Sequence, residues 1–215
     1  MRGELKGLLL AGDLDGVAAL AEGERRVLGA LLAYTYEPDG LLRWRAVEAL
    51  GLASRRVAQR DPEFVRGILR RLLWSLSDES GGIGWSAPEA MGEIVAHSPD
   101  LFGDFAPIVA SLFESLEEDY FQPGILWAIG RIAGSAPALV RDAFPTVLGF
   151  LASADPRVRG VAAWTLGKMG ERQAVTRLAR LFGDAEPLHI YEASALRETT
   201  VGELAGQSVV QLTCR

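Results

Sequence analysis

Hydrophobic residues recur at steps of three and four along most of the chain, and this spacing is typical of α-helices. The stretch 62–76, PEFVRGILRRLLWSL, shows it most clearly, because its large apolar residues share one face of a helix. Pro62 at its start is tolerated, since the first N–H groups of a helix have no partner within it. The pattern predicts an all-α protein over most of its length.

The predicted helices form two alternating series that repeat about every forty residues. Segments of the first series close on a glycine: RWRAVEALG at Gly51, GWSAPEAMG at Gly92, QPGILWAIG at Gly130 and RGVAAWTLG at Gly167. Segments of the second series open at Pro62, Pro99 and Pro137. A glycine at the same place in each unit allows neighbouring helices to approach closely, at some cost in helix propensity. The period therefore indicates stacked helix pairs.

One segment, DPRVRGVAAWTLGKMG at 155–170, closely resembles the second-helix signature of HEAT-like repeats, including the type named after phycobilisome lyases. Asp39 with Leu42 and Arg43 repeats its Asp and Val-Arg elements, and the resemblance extends over about residues 20–185. It implies a right-handed α-α superhelix, a HEAT-like solenoid of about four to five helix pairs with a concave surface for partners. We expect one domain over 1–215, with N-terminal cap helices in 1–23, repeats in 24–185 and a C-terminal cap in 186–215.

Periodicity and capping signals place the individual helices. We expect them over 4–11, 13–21, 24–36, 41–57, 62–76, 87–96, 101–116, 124–133, 137–152, 156–169 and 172–181. Ser86 with Glu89 has the spacing of a capping box, which predicts the start of the sixth helix.

The tail has a different pattern. Residues 188–192 and 196–201 are rich in β-formers and predict a small hairpin as the C-terminal cap. The alternative is one more helix over 191–196. Thr200 with Glu203 is a second capping box and predicts a short final helix from about Val201.

A row of larger side chains follows the helices of the first series. Three positions spaced four residues apart recur relative to the closing glycine of each unit, and in the first unit they are Trp44, Glu48 and Leu52. Side chains four residues apart lie on the same face of a helix, so these positions form one ridge in each of the four units. The resemblance implies that this ridge lines the concave groove, whereas tryptophans at helical spacing also pack in cores and seams. Glu93 and Arg131 occupy equivalent positions in adjacent units, so they either point into the groove or pair across the seam. The candidate binding residues are Trp85, Glu89, Glu93, Tyr120, Gln122, Trp127, Arg131, Trp164 and Lys168.

Composition and charge narrow the function classes. The 215 residues are 49% hydrophobic and 23% charged, and no apolar run approaches the length of a membrane span. We expect neither a secretory signal nor a membrane, and the single cysteine, Cys214, makes a reducing cytoplasm the default location. The net charge of −6 argues against nucleic acid as the main partner. An arginine-rich stretch at 43–71 and an acidic stretch at 98–120 are either solvated faces or contacts for a polar partner.

Catalytic motifs are absent from the sequence. Two histidines and one cysteine lie far apart, and no zinc spacing, phosphate-binding loop or nucleophile elbow occurs. We expect no catalytic residue, no metal and no cofactor.

Three function classes remain. The first is a non-catalytic scaffold or adaptor that binds a protein or peptide on its concave face. The resemblance also implies a lyase-like or chaperone-like assembly factor for a cofactor-bearing protein, in which the tryptophans would stack on a flat ring. A HEAT-like DNA glycosylase is the third class, and the acidic net charge weighs against it.

Overall fold

A computed structural model of the chain describes residues 2–38, 40–76, 86–115 and 119–214. Its α-helices are α1 (Arg2–Ala11), α2 (Leu14–Gly23), α3 (Val27–Tyr34), α4 (Gly40–Ala58), α5 (Pro62–Leu76), α6 (Ala87–His97), α7 (Pro99–Phe102), α8 (Ala106–Ser115), α9 (Gln122–Ser135), α10 (Phe144–Gly149), α11 (Pro156–Met169), α12 (Val175–Ala179) and α13 (Val201–Thr213). Short 3-10 turns cover Gly103–Phe105, Asp119–Phe121, Pro137–Ala143, Phe150–Ala152 and Arg172–Ala174. Two strands, β1 (Pro187–Glu192) and β2 (Ala195–Thr200), separate α12 from α13.

The helices stack in two rows. An inner row consists of α2, α4, α6, α9, α11 and α13, each packed along the next. On the outer side, α3, α5, α8, α10 and α12 pack against these inner helices. Apolar side chains buried between the rows join into one core that runs from Leu5 to Leu212. The prediction of an all-α solenoid of helix pairs is confirmed.

Four glycines allow the inner helices to pack closely against one another. A Cβ atom added at Gly51 would stand within 3.0 Å of the Glu93 carbonyl oxygen on α6, and one at Gly92 would stand equally close to Ala128 on α9. At Gly130 it would overlap the Trp164 ring of α11. The fourth, Gly167, lies against Ser208 of α13 in the same way. The predicted role of the repeated glycine is confirmed, since each one faces the next inner helix.

Prolines divide two of the helices that were expected to be continuous. The stretch predicted over 101–116 instead contains α7, a 3-10 turn and α8, and the stretch over 137–152 contains two 3-10 turns around α10. Pro107 and Pro145 have no N–H to donate and clash with the preceding turn, so a helix tolerates them only near its start. Each of these prolines accordingly lies at the second position of a new helix.

One of the two predicted capping boxes is wrong. The Ser86 side chain makes no capping hydrogen bond to α6, and its backbone, at φ −126° and ψ 24°, is not in the extended conformation of an N-cap. The second box is confirmed, because Thr200 and Glu203 cap each other's backbone N–H groups at the start of α13. That helix has 13 residues and is therefore longer than expected.

The C-terminal hairpin is also confirmed, and the alternative helix over 191–196 is wrong. Strands β1 and β2 pair antiparallel, with Glu192 opposite Ala195. Ala193 and Ser194 form the two-residue turn at φ 52° and φ 59°. Two consecutive positive φ values give the turn whose twist matches that of a tight hairpin.

The glycine contacts generate a stability prediction. Gly130→Ala should destabilise the protein by about 1–3 kcal/mol, because its Cβ would overlap the Trp164 ring inside the core. Gly67→Ala is the matched control, since it lies in the interior of α5 with no atom within 4 Å of the added Cβ. There we expect a gain of about 0.5–1 kcal/mol from helix propensity. Urea unfolding of both variants measures the difference, and a similar effect at the two sites would contradict the packing role.

Candidate functional site

The C-terminal hairpin lies across the inner row of helices. Strand β1 contacts α11, while β2 contacts α4 at the other end of the array. Between these ends, the indole N–H of Trp127 on α9 donates to the Tyr191 carbonyl oxygen at 2.9 Å. The indole N–H of Trp164 on α11 donates to Glu192 Oε1, also at 2.9 Å. The hairpin is therefore bound to several repeat units at once.

At the α4 end, Glu48 holds the hairpin by two hydrogen bonds. The Tyr191 hydroxyl donates to Glu48 Oε2 at 2.5 Å, and the Ser194 hydroxyl donates to Glu48 Oε1 at 2.9 Å. Trp44 stacks on the Tyr191 ring with centroids 5.2 Å apart. Burial and the adjacent Glu48 carboxylate raise the pKa of Tyr191, so its hydroxyl keeps the proton that it donates.

Three tryptophans of the predicted ridge form a layer beneath the hairpin. Ring centroids are 4.6 Å apart between Trp44 and Trp127 and 6.3 Å apart between Trp127 and Trp164. Trp127 and Trp164 keep only 2% and 4% of their surface exposed. The chain's own tail covers most of both side chains, and the small part left exposed borders a depression in each case.

Lys168 belongs to the same contact. Its ammonium donates to Glu192 Oε1 at 2.7 Å, and Arg197 reaches the other oxygen of that carboxylate at 3.3 Å. Burial opposes the ionisation of Glu192, but the hydrogen bonds from Lys168 and Trp164 outweigh it and hold the pKa below its ordinary value. The charge on Glu192 therefore fixes the hairpin to α11.

Glu93 and Arg131 pair across the seam between α6 and α9. Arg131 Nε lies 2.5 Å from Glu93 Oε1, and its Nη2 donates to Oε2 at 3.2 Å. His97 Nδ1 lies 3.1 Å from the same Oε2. Glu93 is fully buried. The burial of Arg131 opposes its charge, but Glu93 outweighs it and raises the pKa of the guanidinium. The predicted pairing across the seam is confirmed, and Arg131 also borders a surface depression together with Trp164 and Lys168.

A pocket remains open beside the hairpin, between β1 and helices α4, α9 and α11. Its volume is about 350 Å³. Rings and apolar side chains supply most of its wall: Trp44, Tyr120, Pro123, Gly124, Trp127, Val161, Ile190, Tyr191 and Leu196. Charged or ionisable side chains complete it: Arg43, Glu89, Arg157 and His189. This hairpin pocket brings together three of the predicted site residues, Glu89, Tyr120 and Trp127.

Glu89 is the unusual group of the hairpin pocket. Its carboxyl lies against the backbone of Gly124, where a Cβ atom would stand 2.6 Å from Oε1. The Oε2 atom is inaccessible to solvent and has no hydrogen-bond partner among the residues that the structure describes. Burial raises the pKa of Glu89 to about 7, although the positive charge of Arg43 partly opposes this shift. The carboxyl is therefore present in both protonation states near neutral pH.

Arg43 and Arg157 differ in how firmly they are held. Arg157 Nη2 donates to Asp155 Oδ2 at 2.7 Å. Arg43 occupies the repeat position of Arg159, whose Nε donates to Asp184 Oδ2 at 2.7 Å. No such ion pair holds Arg43 within the described part of the chain. Its guanidinium lines the hairpin pocket instead.

A second, outer depression of about 650 Å³ adjoins the hairpin pocket. It is lined by Tyr120, Gln122, Gly149, Phe150, Ala152, Ser153, Ala154, Asp155, Arg157 and Val158. Tyr120 and Arg157 border both depressions, and Tyr120 is 41% exposed. Tyr120 and Gln122 are thus predicted site residues that lie at an open surface, and Arg131, Trp164 and Lys168 border a separate depression. Trp85, the remaining one, lies outside the described residues.

Sequence reasoning missed Arg43, Arg157, His189 and Tyr191. Arg43 and Arg157 belong to the motif that carries the HEAT-like resemblance. A comparison of ion-pair partners between the units of Arg43 and Arg157 was the signal that could have identified them. No sequence signal places His189 and Tyr191 there, because their position depends on where the hairpin docks.

Comparisons with known proteins agree with this architecture. The sequence model of HEAT repeats matches residues 106–197. An uncharacterized protein of Archaeoglobus fulgidus is 31% identical over 179 residues, which cover 81% of this chain and 91% of that protein. The chain belongs to the HEAT-repeat family.

An engineered protein of known structure shares the fold. It superposes with a TM-score of 0.54 at 16% identity, covering 99% of this chain and 96% of the other. The HEAT-like repeats protein of Thermococcus onnurineus NA1 gives a TM-score of 0.42 at 20% identity, covering 99% and 80%.

Two other kinds of site are absent from the part of the chain that the structure describes. None of the described helices is both long and apolar enough to cross a membrane. Within residues 2–38, 40–76, 86–115 and 119–214, no three His, Cys, Asp or Glu side chains are grouped as metal ligands.

The docked hairpin generates a second stability prediction. Tyr191→Phe removes the hydroxyl that donates to Glu48 and should cost about 1.5–3 kcal/mol, the usual range for a hydrogen bond to a charged group. Tyr34→Phe is the control, because the Tyr34 hydroxyl makes only a 3.4 Å contact with the Arg2 carbonyl at an exposed site. Thermal and urea unfolding measure both changes. Equal losses would show that the contact with Glu48 adds nothing.

Glu89 generates a prediction about pH. In the folded state burial raises its pKa from the ordinary 4.5 to about 7, so the folded protein binds a proton that the unfolded chain releases. The stability from this proton is fully present below pH 4.5 and is lost as the pH rises through 7. Relative to Glu89→Gln, the wild type should therefore lose stability on the order of 2 kcal/mol between about pH 5 and pH 8.5. Parallel stability–pH curves for the two proteins would contradict the buried carboxyl.

Proposed function

We propose that this chain is a non-catalytic protein-binding scaffold that holds a polypeptide segment of its partner in the outer depression. The observation that carries the proposal is the open edge formed by Tyr120, Gln122 and Arg157 beside two adjoining depressions. Aromatic and arginine side chains in sheltered positions supply most of the energy of protein interfaces. HEAT arrays provide extended surfaces of this kind.

The partner is expected to bind beside the hairpin and not in its place. Displacement would expose Leu188, Ile190 and Tyr191, each at most 3% exposed. Burial of a large apolar side chain contributes about 1.5–3 kcal/mol. Removal of all three, together with their hydrogen bonds, would consume much of the binding energy of an ordinary interface. The accessible edge is the better candidate for the docking surface.

This proposal revises the list of binding residues. Tyr120 and Gln122 are retained, and Arg157 joins them. Glu93, Arg131, Trp164 and Lys168 are assigned to folding, since their hydrogen bonds join neighbouring helices or hold the hairpin on the inner row. We keep the cytoplasm as the expected place of action, in accord with the single exposed cysteine, Cys214.

The experiment compares capture of partner proteins by surface variants. Tagged wild type, Tyr120→Ala and Gln122→Ala are incubated with extract of the source cells, and captured proteins are quantified by mass spectrometry. Capture of a specific partner should fall about tenfold with Tyr120→Ala, because an exposed aromatic anchor is lost. Melting temperatures should stay close to that of the wild type.

Phe182→Ala is the matched control. It removes another exposed aromatic ring, 52% accessible, that lines neither of the two depressions. Capture of the partner should be unchanged in this variant. An equal loss in both variants, or the same captured proteins with every variant, would overturn the outer depression as the docking surface.

A further inference from the structure

The C-terminal halves of the inner helices surround a depression that lies apart from the hairpin pocket, which is lined by their N-terminal halves. The volume of this basic depression is about 440 Å³. Its lining residues are Arg55, Ala96, His97, Gly130, Arg131, Gly134, Ser135, Trp164, Lys168 and Gln211. The inner row therefore has a second accessible surface, at the other end of the same helices.

Short side chains create the basic depression. The residue four positions after the closing glycine is Arg55 in the first unit, but Ala96 and Gly134 in the next two. A Cβ atom added at Gly134 would meet nothing within 4 Å, so the space above this residue is open. The row of larger side chains is thus interrupted over α6 and α9.

Positive charges border this space on three helices. Arg55 lies on α4, Arg131 on α9 and Lys168 on α11, and no Asp or Glu belongs to the described lining. The side chains of Arg131 and Lys168 keep 31% and 27% of their surface exposed, and Arg55 is exposed as well. A ligand in the depression can therefore reach all three cations.

The carboxylates that pair with two of these cations leave them accessible. Glu93, which holds Arg131, is itself only 1% exposed and lies behind the guanidinium, and Glu192, which holds Lys168, belongs to the hairpin. Arg55 has no ion-pair partner among the residues that the structure describes. The helix dipole favours a cation in the last turn of α4 or α11. It does not account for Arg131 in the interior of α9, so the convergence of three cations calls for an anionic ligand.

The spread of the cations indicates the length of that ligand. Axes of packed helices are about 8–10 Å apart, so α4 and α11, three steps apart in the inner row, are separated by roughly 25 Å. A single phosphate or carboxylate group is too small to reach from Arg55 to Lys168. An extended polypeptide advances about 3.3 Å per residue, so about eight residues cover this distance.

The wall also distinguishes between polyanions. Single-stranded nucleic acid is held largely by bases that stack on accessible rings. Trp164 supplies the only ring system other than His97 in the described lining, and 4% of its surface is exposed. An acidic polypeptide needs no such platform, because its carboxylates form ion pairs with arginine and lysine directly. The wall therefore favours a peptide.

We propose that the basic depression binds an extended acidic segment of a polypeptide, with Arg55, Arg131 and Lys168 contacting carboxylates along it. The segment crosses α4, α6, α9 and α11, and the short side chains of Ala96 and Gly134 leave room for its backbone. This surface is separate from the outer depression, so the proposal does not depend on the function proposed above.

The test uses the full chain and a rhodamine-labelled octapeptide of alternating glutamate and glycine as the probe. Fluorescence anisotropy at about 10 mM ionic strength, where the Debye length is about 30 Å, should show one saturable site. The affinity should fall at about 0.15 M, where the Debye length is about 8 Å. The same peptide with glutamine in place of glutamate should not bind, because it carries no charge for the three cations.

Arg55→Gln tests the cation that has no role in folding. The affinity for the acidic peptide should fall about twofold to fivefold, as for one accessible ion pair, with an unchanged melting temperature. Arg56→Gln is the matched control, because it makes the same change of charge one residue further along α4, where Arg56 faces Glu22. This control should bind the peptide as the wild type does.

Gly134→Leu tests the shape of the basic depression. A side chain placed in the open space should remove most of the peptide binding. Gly67→Leu is the control, since an added Cβ atom there also meets nothing within 4 Å but the residue lies on α5, outside the depression. Both changes replace a helical glycine by a better helix former, so neither variant should lose stability.

Several results would overturn the proposal. One is the absence of saturable binding up to about 1 mM peptide, and another is an equal loss in Arg55→Gln and Arg56→Gln, which would reveal only diffuse attraction. Equal binding of an eight-nucleotide DNA strand, or full competition by inorganic phosphate, would show that any anion suffices. Tyr120→Ala separates this surface from the outer depression, because Tyr120 does not line the basic one. That variant should bind the acidic peptide normally, and a loss there would refute the assignment to the basic depression.

Discussion

Close contact between the inner helices, made at one glycine in each unit, is the constraint on which the rest of the structure depends. At Gly92 and Gly130 the backbone of one helix lies directly against the next, with no space for a methyl group. Glycine lowers helix propensity by about 1 kcal/mol, and the dense packing of the stack offsets that cost. Because each contact fixes the rotation of its helix, side chains at equivalent positions line up across the units.

The C-terminal hairpin packs against these aligned side chains. Glu48, Trp127 and Trp164 occupy the same position in three units, and each forms a hydrogen bond with the hairpin. A two-stranded hairpin is marginally stable by itself, so its burial on this face is what keeps it folded. In return it covers tryptophans that would otherwise form an exposed apolar patch. The terminal element thus closes the inner face as well as the end of the array.

Membership of the HEAT-repeat family defines the architecture and leaves the activity open, because one fold supports many functions. What distinguishes this chain lies where the hairpin meets the repeats. Most polar groups of that junction are satisfied within the molecule, including Glu93 by Arg131 and Glu192 by Lys168. Among the described residues, Glu89 Oε2 is buried without a hydrogen-bond partner, and Arg43 lines the same pocket. Such local departures are where function is expected.

The sequence by itself determined the repeat architecture, because the information is local. The 3.6-residue periodicity, the glycine spacing and the Thr200–Glu203 capping box each depend on neighbours within one helix or one repeat. It did not reveal that Pro107 and Pro145 restart their helices, although that signal is local as well. Helix pairs and hairpin were therefore predictable, and the exact helix ends were less so.

The accessibility of the predicted site was decided only by the tertiary structure. The ridge was identified correctly, but whether Trp127 and Trp164 face solvent or the hairpin depends on contacts between distant segments. Tyr191 and Glu48 are separated by 143 positions in the chain, and no periodic pattern records their meeting. Whether Glu93 and Arg131 point into the groove or pair across the seam likewise depends on the spacing of α6 and α9. The hairpin brings such residues together by folding back across the inner helices, and that docking depends on several repeat units at once.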